Sequence, residues 1–150
     1  MSKVRFVGLD VHKSSIVIAV ADNDRSEPSV VSEIPHDIPR LVKELRKLGR
    51  GGAEIRACYE AGPTGFGLYR ALIDAKFSCT VIAPSLIPKQ PGAQVKTDRR
   101  DAVRLARFHR SGDLTAVYVP DAQTEAMRDL ERTRDDAKNA ERVARHQLSK

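Results

Sequence analysis

Short apolar runs separated by turn residues dominate the first part of the chain. Residues 3–10, 14–22 and 28–34 are rich in valine and isoleucine at near-continuous spacing, which predicts three strands. Residues 11–13 join the first two strands, and residues 22–28 are of the types common in turns. Because tight connections pair neighbouring strands in opposite directions, the sequence predicts an antiparallel meander.

From residue 36 onward, helical and strand spacing alternate. Apolar residues recur at helical intervals over 36–48, and the glycines that follow end this helix. Residues 53–59 and 77–83 are predicted strands, with a predicted helix over 66–75 between them. This alternation implies parallel additions to the sheet, so the predicted fold class is α/β, a mixed sheet flanked by helices.

Three prolines over 84–92 predict a loop that leads into a helix over 97–109, which ends at Ser111 and Gly112. After Pro120 the sequence is mostly charged with a thin seam of small apolar residues, which predicts a long helix that needs a partner.

Two regions are therefore expected. Residues 1–112 form the main domain, and residues 113–150 form a linker and a long helix that serves as an oligomerisation arm. Since no helix stop follows Leu148, we expect the sequence to be the front part of a longer protein.

Composition narrows the function classes. A net charge of +6 and a pI near 9.6 suggest a polyanionic partner, although charge alone does not establish one. The apolar runs are too short to span a bilayer and no signal peptide is evident, so a cytoplasmic protein without membrane contact is expected. Cys58 and Cys79 match no metal-ligand spacing and are predicted to be buried free thiols.

Four acids lie at positions that a sheet would bring together. Asp10 ends the first strand, Glu60 ends the strand over 53–59, and Asp98 and Asp101 open the helix after the proline loop. Together they form an all-oxygen cluster of the kind that Mg²⁺ or Mn²⁺ prefers, and two such ions clamp an in-line phosphoryl transfer.

Each acid also has a structural interpretation. Asp98 with Asp101 is a capping arrangement, although a spacing of three places both on the face that continues through Leu105. Glu60 would pair with a surface arginine, and Asp10 with Lys13 or an arginine. Among the histidines, His12 either assists Asp10 or faces solvent in a turn, and the other three are expected at the surface.

Basic residues near the acids are candidates for phosphate contacts. Several arginines form a stripe on the predicted helix over 97–109, about a third of a turn from the acids. The predicted nucleic-acid-binding residues are Lys13, Lys96, Arg99, Arg100, Arg104 and Arg107.

Three blocks carry a resemblance to a known family. Residues 7–13 (VGLDVHK), 59–65 (YEAGPTG) and 96–102 (KTDRRDA) resemble the signature blocks of the DEDD transposases of bacterial insertion sequences, in the same order. The resemblance implies a RuvC-like, ribonuclease-H-like domain in which Asp10, Glu60, Asp98 and Asp101 bind two Mg²⁺ ions.

The same resemblance implies further properties. Family members recombine DNA, some are guided by an RNA that bridges donor and target, and a helical segment after the first domain helps subunits associate. A second domain supplies a nucleophilic serine, and we expect this chain to stop before that domain.

Three other functions stay open at this point. A stand-alone RuvC-like resolvase or nuclease would have the same fold and need no second domain. A nucleotide-binding kinase or ATPase domain also begins with a Gly-Leu-Asp hairpin, and a non-catalytic nucleic-acid-binding or assembly module would use its acids structurally.

Overall fold

The computed structural model of the chain describes residues 3–62, 65–88 and 97–148. The chain divides into two compact units after Val117. The strands are β1 (Val4–Val11), β2 (Ser15–Asp22), β3 (Ser29–Pro35), β4 (Glu54–Glu60) and β5 (Ser78–Ile82). The helices are α1 (Ile38–Leu48), α2 (Gly67–Asp74), α3 (Asp98–Ser111) and α4 (Ala122–Leu148), with a short 3₁₀ helix at Pro84–Leu86.

The strands form one mixed sheet in the order β3-β2-β1-β4-β5. β1 pairs with β2, and β2 with β3, in antiparallel fashion, whereas β1 with β4 and β4 with β5 are parallel. Helices connect the parallel strands, because a parallel pair needs a long crossover. This order and polarity are those of a ribonuclease-H-like, RuvC-like domain, so the predicted fold class is confirmed.

The centre of the sheet is fully buried. Val7 and Leu9 on β1 and Ile16 to Ala19 on β2 have no solvent exposure. Their near-continuous apolar pattern follows from this position, because a strand covered on both faces has no polar side to present. The helices α1 and α2 contribute the buried leucines Leu41, Leu45, Leu68 and Leu72.

The helix α3 packs against β1, β2 and β4 through small side chains. Ala102 and Ala106 of α3 cluster with Val17, Ala19 and Ala21 of β2. Gly8 of β1 lies directly beneath the helix, where an added Cβ would overlap the backbone oxygen of Ala102. The absence of a side chain at Gly8 therefore lets the α3 backbone approach the sheet closely.

The observed boundaries differ from the predicted ones for local reasons. The helix α1 begins at Ile38 because Asp37 accepts a hydrogen bond from the Arg40 amide at 2.8 Å and so caps it. The helix α3 continues to Ser111, where Gly112 ends it with φ of 80°.

The remaining predictions concern the proline-rich segment, the two cysteines and membrane-spanning helices. The segment predicted as a loop over 84–92 includes one 3₁₀ turn, and its residues 89–92 lie outside the described part of the chain. Cys58 and Cys79 are free, the first buried and the second half-buried. In the described ranges, no helix combines the length and the apolarity needed to cross a bilayer.

Candidate active site

Two neighbouring strands place Asp10 and Glu60 side by side. β1 and β4 run parallel with Leu9 opposite Tyr59, so the next residue on each strand is Asp10 or Glu60. Side chains alternate along a strand, and therefore Asp10 shares its face with Gly8, which contacts α3. Glu60 likewise shares the face of Cys58, whose Sγ donates to the Leu105 carbonyl of α3 at 3.7 Å. Both carboxylates lie on the α3 side of the sheet.

The first turn of α3 supplies the other two acids. Thr97 caps the helix, because its Oγ1 accepts from the Arg100 amide at 3.3 Å. Asp98 is the first helical residue, and its side chain is 58% exposed. Asp101 is only 8% exposed and is the one charged residue that is buried in the described part of the chain. Capping is thus the role of Thr97, and the interpretation of Asp98 as the cap is wrong.

The four acids form two pairs, each bridged by one basic side chain. His12 Nε2 lies 2.9 Å from Asp10 Oδ2 and 3.4 Å from Asp98 Oδ1. Arg104 Nη2 lies 3.2 Å from Asp101 Oδ1 and 3.8 Å from Glu60 Oε1. Each pair thus gathers two carboxylates around one position where a positive group fits.

The pKa of Asp10 is raised by its burial and by the neighbouring acids. Burial is the largest effect and raises the pKa of the Asp10 carboxyl, and the negative charges of Asp101 and Asp98 raise it further. The hydrogen bond and charge of His12 oppose this rise without cancelling it. A divalent cation beside Asp10 would relieve both the desolvation and the repulsion.

The donor atoms fit a divalent metal ion. Asp10, His12 and Asp98 each offer one ligand atom, and these atoms all lie within 4.8 Å of one another. Carboxylate oxygens suit Mg²⁺ and Mn²⁺, and imidazole nitrogen is also a common ligand of transition metals.

The predicted phosphate-binding residues occupy different environments. Lys13, in the β1–β2 turn, is exposed, as are Arg99 and Arg100 on the first turn of α3. The contact between His12 and Asp98 brings that turn and that helix end together. These exposed cations therefore belong to the same turn and the same helix end as His12 and Asp98.

The remaining basic residues are either engaged or undescribed. Arg104 is half-buried between Asp101 and Glu60, and Arg107 Nη2 lies 2.5 Å from Glu27 Oε2. Lys96 lies outside the described residues. Phosphate contacts by Arg104 and Arg107 would require these ion pairs to open.

The sequence favoured a solvent-facing turn position for His12 over a role beside Asp10. Asp10 pairs with this histidine, whereas Lys13 or an arginine was the ion-pair partner expected from the sequence. The signal was available, because His12 lies only two residues after Asp10. For Glu60 the expected arginine partner is Arg104, which is half-buried and not at the surface.

Two further histidines depart from the expected surface positions. His109 packs edge-on against Phe6, with ring centroids 5.5 Å apart, and burial lowers the pKa of its imidazole. His36 is half-buried, and its Nδ1 donates to the backbone carbonyl of His12 at 2.6 Å. His146 is exposed on α4, as expected.

The site brings together acids at the ends of β1 and β4 and in the first turn of α3, and sequence comparison gives the family. The chain belongs to the IS110-type DEDD transposases, whose family model, described as transposase, matches residues 7–150.

Two curated relatives support the assignment. A protein of Sinorhizobium fredii named as a transposase, y4qE, is 46% identical over 145 residues, which are 96% of this chain and 37% of the relative. The transposase for insertion sequence element IS1533 of Leptospira borgpetersenii is 40% identical over 136 residues, 90% of this chain and 39% of the relative. The chain thus spans less than two fifths of the length of either relative.

Solved structures with a similar fold are distant in sequence. RuvC of T. thermophilus in complex with a Holliday junction substrate aligns with 78% of this chain and all of its own, at 11% identity and a TM-score of 0.47. The large terminase nuclease of phage G20c aligns with 74% of this chain and 56% of its own, at 15% identity and a TM-score of 0.43.

Proposed function

We propose that this chain is the catalytic domain of a DNA transposase that cleaves and rejoins DNA during insertion-sequence transposition. Asp10, Glu60, Asp98 and Asp101 hold Mg²⁺ or Mn²⁺ ions, two per site. Membership of the transposase family supports the reaction class. The closeness of Asp10 to Asp98, and the contact of Arg104 with both Glu60 and Asp101, support the site.

The observation that carries this proposal is the pairing of the acids. One basic side chain lies between Asp10 and Asp98, and another lies between Glu60 and Asp101. Positive groups collect where the field of the carboxylates is strongest, so each of the two acid pairs would bind one cation. Two metal positions are what phosphoryl transfer through paired ions needs.

The residues of the chain have separate tasks in this reaction. The four carboxylates bind the ions, and the rigid packing of α3 on β1 fixes their spacing. Lys13, Arg99 and Arg100 bind backbone phosphates of the DNA, which positions the duplex without reading its sequence. The ions, when bound, polarise the scissile phosphate and stabilise charge on the attacking and leaving oxygens.

Further parts of the proposal concern partners. The helix α4 has no buried residue within this chain and exposes Met127, Leu130, Val143 and Leu148. A 27-residue helix of this kind is stabilised by packing against another helix, so we assign α4 to homo-oligomer formation.

A guide RNA that pairs with donor and target, and a second domain that supplies a nucleophilic serine, complete the proposed reaction. The proposed location is the cytoplasm, where bacterial DNA is accessible.

Calorimetric titration of Mg²⁺ and Mn²⁺ tests the proposal directly. The chain should bind divalent ions, and the double variant Asp98→Asn/Asp101→Asn should lose this binding. The matched control is Asp74→Asn, which removes an exposed acid on α2 and should leave binding unchanged.

The same variants are then assayed for DNA cleavage in the complete transposase. Loss of cleavage in Asp10→Asn with retained cleavage in Asp74→Asn is the expected result. Cleavage that persists in Asp10→Asn would contradict the site assignment. Divalent-ion-independent DNA binding without cleavage would favour a non-catalytic assembly module, whereas cleavage of branched DNA by the chain alone would favour a resolvase.

A further inference from the structure

We propose that His12 is itself a metal ligand, so that the ion held by Asp10 and Asp98 is bound through one nitrogen and two carboxylate oxygens. This inference rests on the proposed function, since it concerns one of the two metal positions. It goes beyond the four-acid set, because it changes the chemistry of that position from all-oxygen to mixed nitrogen and oxygen.

The interatomic distances suit three ligands of one ion. Ligand atoms at about 2.1 Å from an octahedral ion lie about 3.0 Å apart when they are adjacent. His12 Nε2 lies 2.9 Å from Asp10 Oδ2 and 3.4 Å from Asp98 Oδ1. Both separations are close to that edge length, and the ligand atoms of the three residues all lie within 4.8 Å of one another.

The backbone of His12 is held by two hydrogen bonds, which limits the positions open to its ring. Its amide donates to the Ser15 carbonyl at 2.8 Å, and its carbonyl accepts from His36 Nδ1 at 2.6 Å. These two bonds hold the backbone, and the contacts of Nε2 with Asp10 and Asp98 orient the ring.

The neighbouring acids explain why a nitrogen ligand is useful here. Asp10 is largely buried, with its side chain 16% exposed, whereas Asp98 is 58% exposed. An exposed carboxylate gives up more freedom on binding an ion, so the site gains from a third ligand that is already in place. Imidazole nitrogen favours transition-metal ions such as Mn²⁺ over Mg²⁺.

Pulsed electron paramagnetic resonance of bound Mn²⁺ tests this coordination. The wild-type chain is loaded with Mn²⁺, and coupling of the ion to a histidine nitrogen is measured with natural-abundance and ¹⁵N-histidine protein. The sequence has four histidines, so single variants identify the source. We expect the nitrogen coupling to vanish in His12→Ala and to persist in His146→Ala, whose side chain lies exposed on α4.

Calorimetry of the same proteins gives a second readout. His12→Ala should bind Mn²⁺ at least about tenfold more weakly, with a smaller loss for Mg²⁺. The variant His12→Gln can still hydrogen-bond Asp10 but has no imidazole nitrogen, and it should also lack the coupling. Because His12 lies in a half-exposed turn, both variants are expected to fold, which thermal unfolding verifies.

The outcomes separate this inference from the proposed function. Mn²⁺ that binds the wild type without nitrogen coupling overturns the role of His12 and leaves the carboxylate site intact. Equal losses of Mg²⁺ and Mn²⁺ affinity in His12→Ala, without coupling in the wild type, would make His12 a positioning residue for Asp10. Failure of the wild type to bind any divalent ion overturns both proposals.

Discussion

Because α3 approaches β1 closely at Gly8, we expect the addition of a single methyl group there to destabilise the folded protein. In Gly8→Ala the new Cβ would lie 2.5 Å from the Ala106 amide nitrogen and 2.9 Å from Leu105 Cβ, and it would overlap the Ala102 carbonyl oxygen. Two of these neighbours are backbone atoms of a helix. A rotamer change therefore cannot relieve the clash, and the helix has to move.

The size of the effect follows from the same distances. The contact with Ala106 is 0.9 Å short of the 3.4 Å at which ordinary contacts begin, so α3 has to retreat from the sheet by about that amount. Overpacking of a core costs about 1–3 kcal/mol, which lowers Tm by about 2–12 °C in a chain of this length. The same movement carries Asp98 and Asp101 away from Asp10, and metal sites tolerate about 0.5 Å of misplacement.

The assay combines thermal unfolding with Mn²⁺ titration of Gly8→Ala. The matched control is Gly67→Ala, which adds the same methyl group where no atom lies within 4 Å apart from its chain neighbours and its own helix backbone. We expect the control to be as stable as the wild type or more stable by up to about 1 kcal/mol, because alanine lowers the entropy of the unfolded chain. Unchanged stability and metal affinity in Gly8→Ala would refute the claim that this contact sets the geometry of the site.

Three further predictions concern charge. Because the pKa of Asp10 is raised, the folded protein loses stability as the pH rises above the unfolded-state pKa and the carboxyl becomes charged. In EDTA, Asp10→Asn should therefore unfold at the same temperature as the wild type or higher. Added Mg²⁺ should stabilise only the wild type. Arg104→Gln should cost about 1–3 kcal/mol because it removes the cation beside buried Asp101, whereas Arg132→Gln, at an exposed ion pair on α4, should cost less than about 0.5 kcal/mol in denaturant unfolding. Since burial lowers the pKa of His109, its stabilising effect is present above the unfolded-state pKa and is lost as pH falls below about 6.5, so His109→Phe should flatten the pH dependence of the urea midpoint between pH 5 and 8.

Local patterns were sufficient to predict the fold. Valine and isoleucine runs identify β1 to β3, and the later alternation of helices and strands implies the parallel pairs. These features depend on residues close together in sequence, which is why the bounds of the strands and helices could be predicted to within a few residues. The boundaries of α1 and α3 depend on capping at Asp37 and Thr97, and only the atomic geometry shows which neighbouring polar residue caps a helix.

The site was predictable in composition but not in pairing. Asp10, Glu60, Asp98 and Asp101 stand out as acids at strand ends and at a helix start. Which acid pairs with which basic side chain depends on the register of β1 with β4 and on the height of α3 above the sheet, and neither is encoded locally. Arg104 shows the consequence, because its helical position suggests the DNA-facing stripe while its guanidinium lies among the acids.

The order of the elements along the chain determines when each acid of the cluster is synthesised. Asp10 lies on the first strand of the sheet, and Asp98 and Asp101 lie on the last helix of the same unit. During synthesis the chain emerges from its amino terminus, so β1 is available to pair long before α3 can pack on it. The two halves of the cluster can meet only after all five strands have been synthesised, and a nascent or truncated chain that lacks α3 has no complete acid set.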